Sequence, residues 1–314
     1  MLIQSPNATA CRFEAHLNTI YRRHDGAVIL HERGQRLRGS MSSYPGIVRA
    51  TPMQPDPHES REHVMSSIQP GATLRARPPS FVDLRAFAQD QALGIPFPRP
   101  SGENDFLSSR RLLDLPPGPV TVGVISLDAG SGTVRGQPAD EFIIVSEGRL
   151  ILTQQGRTIA LGEGSSAMLL HDAEFGWSAD GPASVIFMRY GISQPGARTV
   201  LPIAEAPTLV PSGTPAAELL LTPTPACRNF TDYRSEDTQF VCGTWDSTPY
   251  HRRAMSYPHY ELMHLLAGSV TFEDDAGRRG TFSQGDIFLV EQHAQCSWES
   301  REHVAKVYAI FRPA

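Results

Sequence analysis

The chain has 314 residues, enough for two domains of ordinary size, and a net charge of −5. No cluster of basic residues contains interleaved aromatic side chains, which argues against nucleic-acid binding. No apolar run approaches the roughly 18 residues that a membrane-spanning helix needs, so we expect no membrane association. The four cysteines form no CxxC pair and no signal-peptide pattern precedes them, so we expect a reducing, cytoplasmic setting.

The first 64 residues differ from the rest of the sequence. Their apolar residues are scattered without a sustained period, and Met65 opens a stretch that looks like a natural start. We therefore expect residues 1–64 to be disordered, or to belong to an over-extended gene start. The alternative is an ordered arm that packs on the following domains.

A short helix is expected within the lead-in formed by residues 65–109. Apolar residues recur at helical spacing across residues 80–95, Ser80 can cap the first turn, and Gly94 with Pro96 can end the helix.

Two series of strand-like segments follow, over residues 110–190 and 226–314, and a proline-rich linker over residues 191–225 joins them. The chain contains 26 glycines and 26 prolines, and only 19% of its residues are charged. This composition is typical of many short strands connected by turns, so it predicts an all-β protein.

An internal repeat relates the two series. Residues 141–148 match residues 261–268, and residues 164–177 match residues 285–298, at an offset of about 120 positions. The repeat predicts two similar domains in one chain.

The repeated pattern resembles the cupin family, in which a glutamate is followed six residues later by glycine and then by a Gly-Asp turn before an apolar strand. The ending with Trp298 and the sequence Lys306-Val-Tyr308 is similar to the branch that contains ureidoglycine aminohydrolase and the ethanolamine-utilisation Q protein. The resemblance covers residues 110–314. It implies two tandem cupin barrels, which are jelly rolls, packed against each other as a bicupin after the short helix.

The resemblance also implies a metal site, since typical cupins bind Fe, Mn, Ni or Zn through three histidines and the glutamate. In the first copy only Glu141 remains at the four ligand positions, and Phe175 replaces the third histidine. One carboxylate would bind an ion weakly, so we expect the first barrel to have a degenerate, metal-free site.

The second copy keeps more of the ligand set. His259 and Glu261 are two residues apart and should face the same side of a strand, whereas Tyr260 and His264 should face outward. Cys296 takes the place of the third histidine, so His259, Glu261 and Cys296 could hold Zn²⁺, Mn or Fe with one open position. We favour the alternative without a metal, in which His259 lies on the rim and Cys296 packs as a small apolar residue.

A ligand pocket in the second barrel is predicted from the residues that should face its interior. Lys306 and Tyr308 share a strand face and could reach Glu261, which needs a partner if it is buried. These three are the candidate catalytic residues. The candidate ligand contacts are Tyr257, His259, Glu261, Cys296, Trp298 and Lys306.

Two further expectations concern charged residues. Glu141 in the first copy could be partnered by Arg135 or Arg189. The basic sequence at residues 251–253 could attract an anion near the second barrel's mouth, although a solvated loop is the simpler interpretation.

The sequence leaves more than one function open. The first hypothesis is a bicupin that binds a small polar or anionic metabolite in its C-terminal barrel, without a cofactor, while the N-terminal barrel is structural. The alternative is a metal-dependent enzyme of the aminohydrolase type that acts on a small nitrogenous metabolite. A weaker hypothesis assigns the barrels to homodimer formation.

Overall fold

A computed structural model of the chain describes residues 78–96 and 105–314. Further upstream it describes only the backbone of two short antiparallel strands, β1 (Arg22–His24) and β2 (Ala27–Ile29). These two strands belong to a unit of their own, Met1–Ala72, and residues Thr73–Ala314 form a second unit. Apart from this hairpin, the expectation for residues 1–64 lies outside the described residues. None of the described helices has the length and apolar character that crossing a membrane requires.

The first barrel consists of a four-stranded and a seven-stranded sheet, with strand orders β10-β9-β12-β7 and β14-β11-β8-β13-β6-β5-β4. Its strands are β4 (Ile95–Pro96), β5 (Arg110–Leu112), β6 (Val120–Leu127), β7 (Gly130–Arg135), β8 (Asp140–Glu147), β9 (Leu150–Gln154), β10 (Arg157–Leu161), β11 (Ser166–Leu169), β12 (Glu174–Ala179), β13 (Ala183–Tyr190) and β14 (Val200–Pro202).

The second barrel repeats this plan, with strand orders β15-β16-β17-β24-β19-β22-β3 and β18-β23-β20-β21. Its elements are β3 (Phe81–Asp83), β15 (Val210–Pro211), β16 (Cys227–Arg234), β17 (Phe240–Ser247), β18 (Tyr250–Ser256), β19 (Tyr260–Ala267), β20 (Ser269–Glu273), β21 (Arg279–Ser283), β22 (Ile287–Val290), β23 (Gln295–Ser300) and β24 (Val304–Phe311). Helix α1 (Leu84–Gln89) and a 3₁₀ turn, Ala217–Leu219, are the described helical segments. The predicted all-β fold, two barrels preceded by a short helix, is confirmed.

The core has three parts, because the central strands are buried on both faces. In β8, Ile143 and Val145 point into the first barrel, and Phe142 and Ile144 lie between the barrels. The second barrel repeats the pattern, and Leu262 of β19 belongs to the same shared cluster. Strand alternation therefore places the residues at Glu141 and Glu261 inside the two barrels.

The predicted helix is shorter than expected and has a different cap. It covers Leu84–Gln89 rather than residues 80–95, and the Asp83 side chain accepts a hydrogen bond from the backbone N–H of Ala86 at 2.9 Å. The expected cap, Ser80, instead donates its hydroxyl to Asp274 Oδ2 at 2.5 Å. Residues just after it form β3, because pairing with a distant strand outweighs local helix propensity.

Strand β3 joins the sheet of the second barrel, a pairing that no local sequence pattern indicates. It precedes the first barrel in the chain, yet it pairs antiparallel with β22 of the second barrel, with Val82 opposite Leu289. Correspondingly, β14 precedes the second barrel and pairs with β11 of the first, with Leu201 opposite Met168. Each barrel is therefore completed by the strand that precedes the other.

Strand β7 has a sequence that does not look like a strand. Its residues, Gly130–Arg135, include two glycines, a serine and a threonine, and Val134 is its one buried side chain. A strand with so few apolar residues lacks the alternation by which strands are recognised.

Candidate functional site

The second barrel holds an ion pair around Glu261. Lys306 on β24 donates from Nζ to Glu261 Oε1 at 2.8 Å, and His259 Nε2 lies 3.2 Å from Glu261 Oε2. All three residues are buried. The carboxylate therefore has a partner on each oxygen inside the barrel.

Two tryptophans and a methionine enclose the Lys306 ammonium. Nζ lies 4.7 Å from the ring centroid of Trp245, 5.1 Å from that of Trp298, and 3.1 Å from Met263 Sδ. Trp245 faces Lys306 directly across the β17–β24 pair. Aromatic faces stabilise a cation that has lost its water. Lys306 is also the only lysine in the sequence, a signal that could have drawn attention to it.

The charge state of Glu261 follows from these contacts. Burial alone would raise its pKa, but Lys306 and His259 together hold the pKa of Glu261 well below its usual range. The carboxylate is thus ionised, and Lys306 supplies the positive charge that a metal ion would otherwise bring.

His259 links this ion pair to the solvent-exposed end of the barrel. Arg312, which is exposed, donates from Nη2 to His259 Nδ1 at 3.3 Å. This leaves Nε2–H of His259 to donate to Glu261. The Tyr257 ring lies 5.6 Å from the imidazole in a T-shaped arrangement. We refer to the end of the barrel around Arg312 and His259 as the second mouth.

Arg252 was missed as a site residue because the basic sequence at residues 251–253 looked like a solvated loop. It lies in strand β18 and is only 5% exposed. Its guanidinium donates to the Tyr257 hydroxyl at 2.5 Å and to the Cys296 carbonyl at 2.9 Å. In the described part of the chain, no carboxylate forms an ion pair with it, so its buried charge rests on neutral acceptors.

Cys296 lies among these residues, but it does not complete a metal site. Burial raises the pKa of its thiol to about 11, and Asp274 acts in the same direction. A protonated thiol is a poor ligand, since metals bind the thiolate. Among the described residues, no group of three His, Cys, Asp or Glu side chains could hold a metal ion. The structure therefore brings His259 and Glu261 together without Cys296.

The remaining predicted residues take different places. Tyr308 is within hydrogen-bonding reach of the Asn229 and Thr231 side chains, and burial raises its pKa. Trp298 stacks on Tyr250, with ring centroids 5.5 Å apart, and its Nε1 donates to Ser300 Oγ at 3.2 Å. Tyr308 thus belongs to the sheet beside the site, whereas Trp298 forms its wall.

The corresponding glutamate of the first barrel is held by two arginines. Arg110 on β5 donates from Nη1 and Nη2 to the two oxygens of Glu141 at 2.8 and 2.9 Å, and Arg189 Nε donates to Oε2 at 2.7 Å. Although burial alone would raise it, the two arginines lower the pKa of Glu141 to about 2. Arg189 was one expected partner, whereas Arg135, the other, is exposed on β7.

Comparison with known proteins supports the fold and identifies part of the chain. Residues 234–308 match the family model of the EutQ-like cupin domain. A search of curated protein sequences gives no match.

Solved structures align over most of the chain. A protein of unknown function of the DUF861 family from Pseudomonas syringae pv. tomato has a TM-score of 0.66 and 26% identity, covering 74% of this chain and 99% of that one. A cupin 2 conserved barrel domain protein from Leptotrichia buccalis has a TM-score of 0.44 and 11% identity, covering 65% and 87%. Protein Ylba from E. coli has a TM-score of 0.43 and 12% identity, covering 68% and 89%. The barrel that surrounds Glu261, over residues 234–308, is a cupin domain.

Proposed function

We propose that the C-terminal barrel binds a small anionic metabolite at the second mouth. The observation that carries the proposal is a surplus of buried positive charge: Lys306 pairs with Glu261, whereas Arg252, equally buried, pairs with no carboxylate among the described residues. A buried charge without a counter-ion is costly, because it has lost its water without gaining an opposite charge. An anionic ligand would provide the missing negative charge.

The geometry of the second mouth fits this role. Arg312 is exposed beside His259, so a ligand that approaches from solvent meets a cation before it reaches the buried pair. Guanidinium groups bind carboxylates through paired hydrogen bonds, which favours a carboxylate ligand. The aromatic wall of Trp245 and Trp298 supplies apolar contact area beneath it.

A metal-dependent enzyme of the aminohydrolase type is the competing proposal. It would require Lys306 to leave Glu261, since the ammonium takes one carboxylate oxygen and His259 the other. It would also require the Cys296 thiol to ionise against its raised pKa. Both requirements weigh against it.

Calorimetric titration with succinate tests the binding proposal, with the neutral diamide succinamide as the matched ligand. We expect succinate to bind and succinamide not to bind at low salt. Arg312→Gln should weaken succinate binding about tenfold, since it removes one unit charge near the ligand. The control Arg301→Gln removes an equally exposed arginine that pairs with Glu299 instead, and should leave binding unchanged.

Equal binding of the diacid and the diamide would contradict the proposal. Metal analysis of protein purified without a histidine tag distinguishes the metal-dependent enzyme from a metal-free binding protein. Stoichiometric Mn, Zn or Fe that is lost in Glu261→Ala would favour the metal-dependent reaction instead.

A further inference from the structure

The mouth of the first barrel contains a cavity of about 250 Å³. Arg110 and Arg189 form its polar side, next to the ring of Phe187. Leu112, Pro119 and Ile192 contribute apolar surface around the opening. The cavity lies above Glu141, at the position that corresponds to Glu261 in the second barrel. We call it the first mouth.

The first mouth has an unused hydrogen-bond donor. Arg189 uses Nε for Glu141 Oε2, but its Nη2 is fully buried and has no hydrogen-bond partner among the described residues. Buried donors in proteins are nearly always satisfied, because an unsatisfied one costs the full loss of its hydration. Arg189 also lines the cavity, so an acceptor bound there would lie next to this guanidinium group.

The two arginines of the first mouth also share a single direct ion-pair partner. Two guanidinium groups, of Arg110 and Arg189, share the single carboxylate of Glu141. The other carboxylate that acts on Arg110, Asp105, accepts hydrogen bonds at Oδ1 from the backbone of Leu107 and Ser108. Among the described residues, Glu141 is therefore the one carboxylate that pairs directly with these guanidinium groups, whereas Asp105 acts on Arg110 from a distance.

The two arginines are fixed in place before any ligand arrives. The bidentate contact with Glu141 holds Arg110, whose Cζ lies 4.5 Å from the Phe187 ring centroid. The Cζ of Arg189 lies 6.0 Å from the same ring centroid, and its Nε donates a hydrogen bond to Glu141. A ligand would pay little entropy for ordering these side chains, and such preorganisation favours affinity.

We propose that the first mouth is a second, separate binding site, which takes a small monocarboxylate. The carboxylate pairs with the guanidinium groups that line the cavity, those of Arg110 and Arg189, and a short apolar tail contacts Leu112, Pro119 and Ile192. Pockets that bind drug-sized ligands have volumes of roughly 300–1,000 Å³. This cavity is smaller, so it admits only a short acid. The first barrel is thus more than a structural element.

Calorimetric titration of the full chain with butyrate, at low salt, tests this site. Ile192 lies at its rim and is 55% exposed, so a substitution there leaves the core intact. Ile192→Glu should weaken butyrate binding about tenfold, because the two negative charges repel each other at short range. Ile192→Gln introduces an uncharged side chain of the same shape as glutamate and should change butyrate binding less than about twofold. Butyramide, the neutral counterpart of butyrate, should not bind.

A second variant removes the donor itself. Arg189→Gln keeps the bidentate Arg110–Glu141 pair and should abolish butyrate binding, while Arg312→Gln at the second mouth should leave it unchanged. Butyrate binding that survives both Arg189→Gln and Ile192→Glu would overturn the proposal, as would equal binding of butyramide. Succinate binding at the second mouth responds to Arg312 and not to Ile192, so either site can fail without the other.

Discussion

Glu141 and Glu261 occupy corresponding positions, yet their counter-ions do not. In the first barrel the cations are Arg110 on β5 and Arg189 on β13; in the second, Lys306 on β24 takes that role. Asn229 stands where the first barrel has Arg110, since the two residues face equivalent positions of β17 and β6. Both barrels contain the buried glutamate, but the cations that neutralise it differ between them.

Removing the ammonium tests how much Glu261 depends on it. Lys306→Met should destabilise the protein by about 3–5 kcal/mol, because it leaves Glu261 buried without its cation. Guanidinium chloride unfolding of the variant and the wild type measures the difference. Glu261→Gln added to Lys306→Met should recover part of the loss, since the uncompensated charge is then gone.

The same lysine offers a control that requires no substitution. Because Lys306 is the only lysine in the sequence, acetylation located by peptide mass mapping reports its accessibility directly. We expect Lys306 to resist acetylation in the native protein and to react after unfolding. Rapid acetylation under native conditions would contradict its burial against Trp245 and Trp298.

Strand parity predicted some of these contacts and could not predict others. It placed His259, Glu261 and Lys306 inside the second barrel, because residues two apart share a face. It gave no means of finding Arg110, which lies 31 positions before Glu141 and corresponds to the uncharged Asn229 in the other copy. Arg252 was missed because a short run of basic residues is ordinarily assigned to a solvated loop.

At the scale of elements, β3 shows where local sequence patterns fail. Residues 80–95 have helical spacing, and α1 does form within them, but Phe81–Asp83 extend as a strand. Their partner, β22, lies some 200 positions later, so no local window contains the information. The repeat predicted two barrels, but it did not indicate which strands would complete them.

Truncating Phe81 should damage the second barrel, although Phe81 precedes the first. Its ring lies 5.9 Å from those of Phe272 and Phe282, within the interior of the second barrel. Phe81→Ala should cost about 3–5 kcal/mol, the usual range for a buried phenylalanine. Urea unfolding measures the loss.

Phe230→Ala is the matched control for that substitution. Phe230 lies on β16 of the same barrel but is 39% exposed, so we expect a loss below about 1 kcal/mol. Similar losses in the two variants would show that β3 contributes no specific contacts to the second barrel.

At the scale of the molecule, the two barrels behave as one unit because their seven-stranded sheets share a core. Phe142 and Ile144 of the first barrel and Leu262 of the second belong to one buried cluster between the two sheets. Hydrogen bonds cross the same interface: Tyr190 donates to Asp237, and Tyr233 donates to Asp140 Oδ2. A single cooperative unfolding transition is the expected result of so continuous a core.

His264 makes this interface sensitive to acid. It faces outward from the second barrel, as expected, but toward the first barrel: a Cβ on Gly164 would lie 3.1 Å from its Cε1. Burial, reinforced by the positive charge of Arg85, lowers the pKa of His264 to about 4, and Asp286 opposes this only in part. The folded protein thus favours the neutral imidazole.

The pH dependence of stability follows from that shift. An unfolded histidine has a pKa near 6.5, so between about pH 6.5 and 4 the unfolded chain binds the proton more readily than the folded chain. The contribution of His264 is complete above this window and is lost as the pH falls through it. His264→Ile, which introduces the residue found at position 144, should flatten the decline; chemical unfolding at pH 7, 6, 5 and 4 measures it. An unchanged slope in the variant would assign the decline to other groups.

The reciprocal placement of β3 and β14 has a consequence for how the protein comes into being. During synthesis β3 leaves the ribosome about 200 residues before β22 exists, so the second barrel must wait for nearly the whole chain before its sheet can close. The arrangement is what two copies of a single-barrel ancestor would show if they had exchanged their leading strands before their genes were joined. If the chain were cleaved between β13 and β14, each half would carry a strand that the other lacks, and the two halves would have to reassociate to complete their sheets.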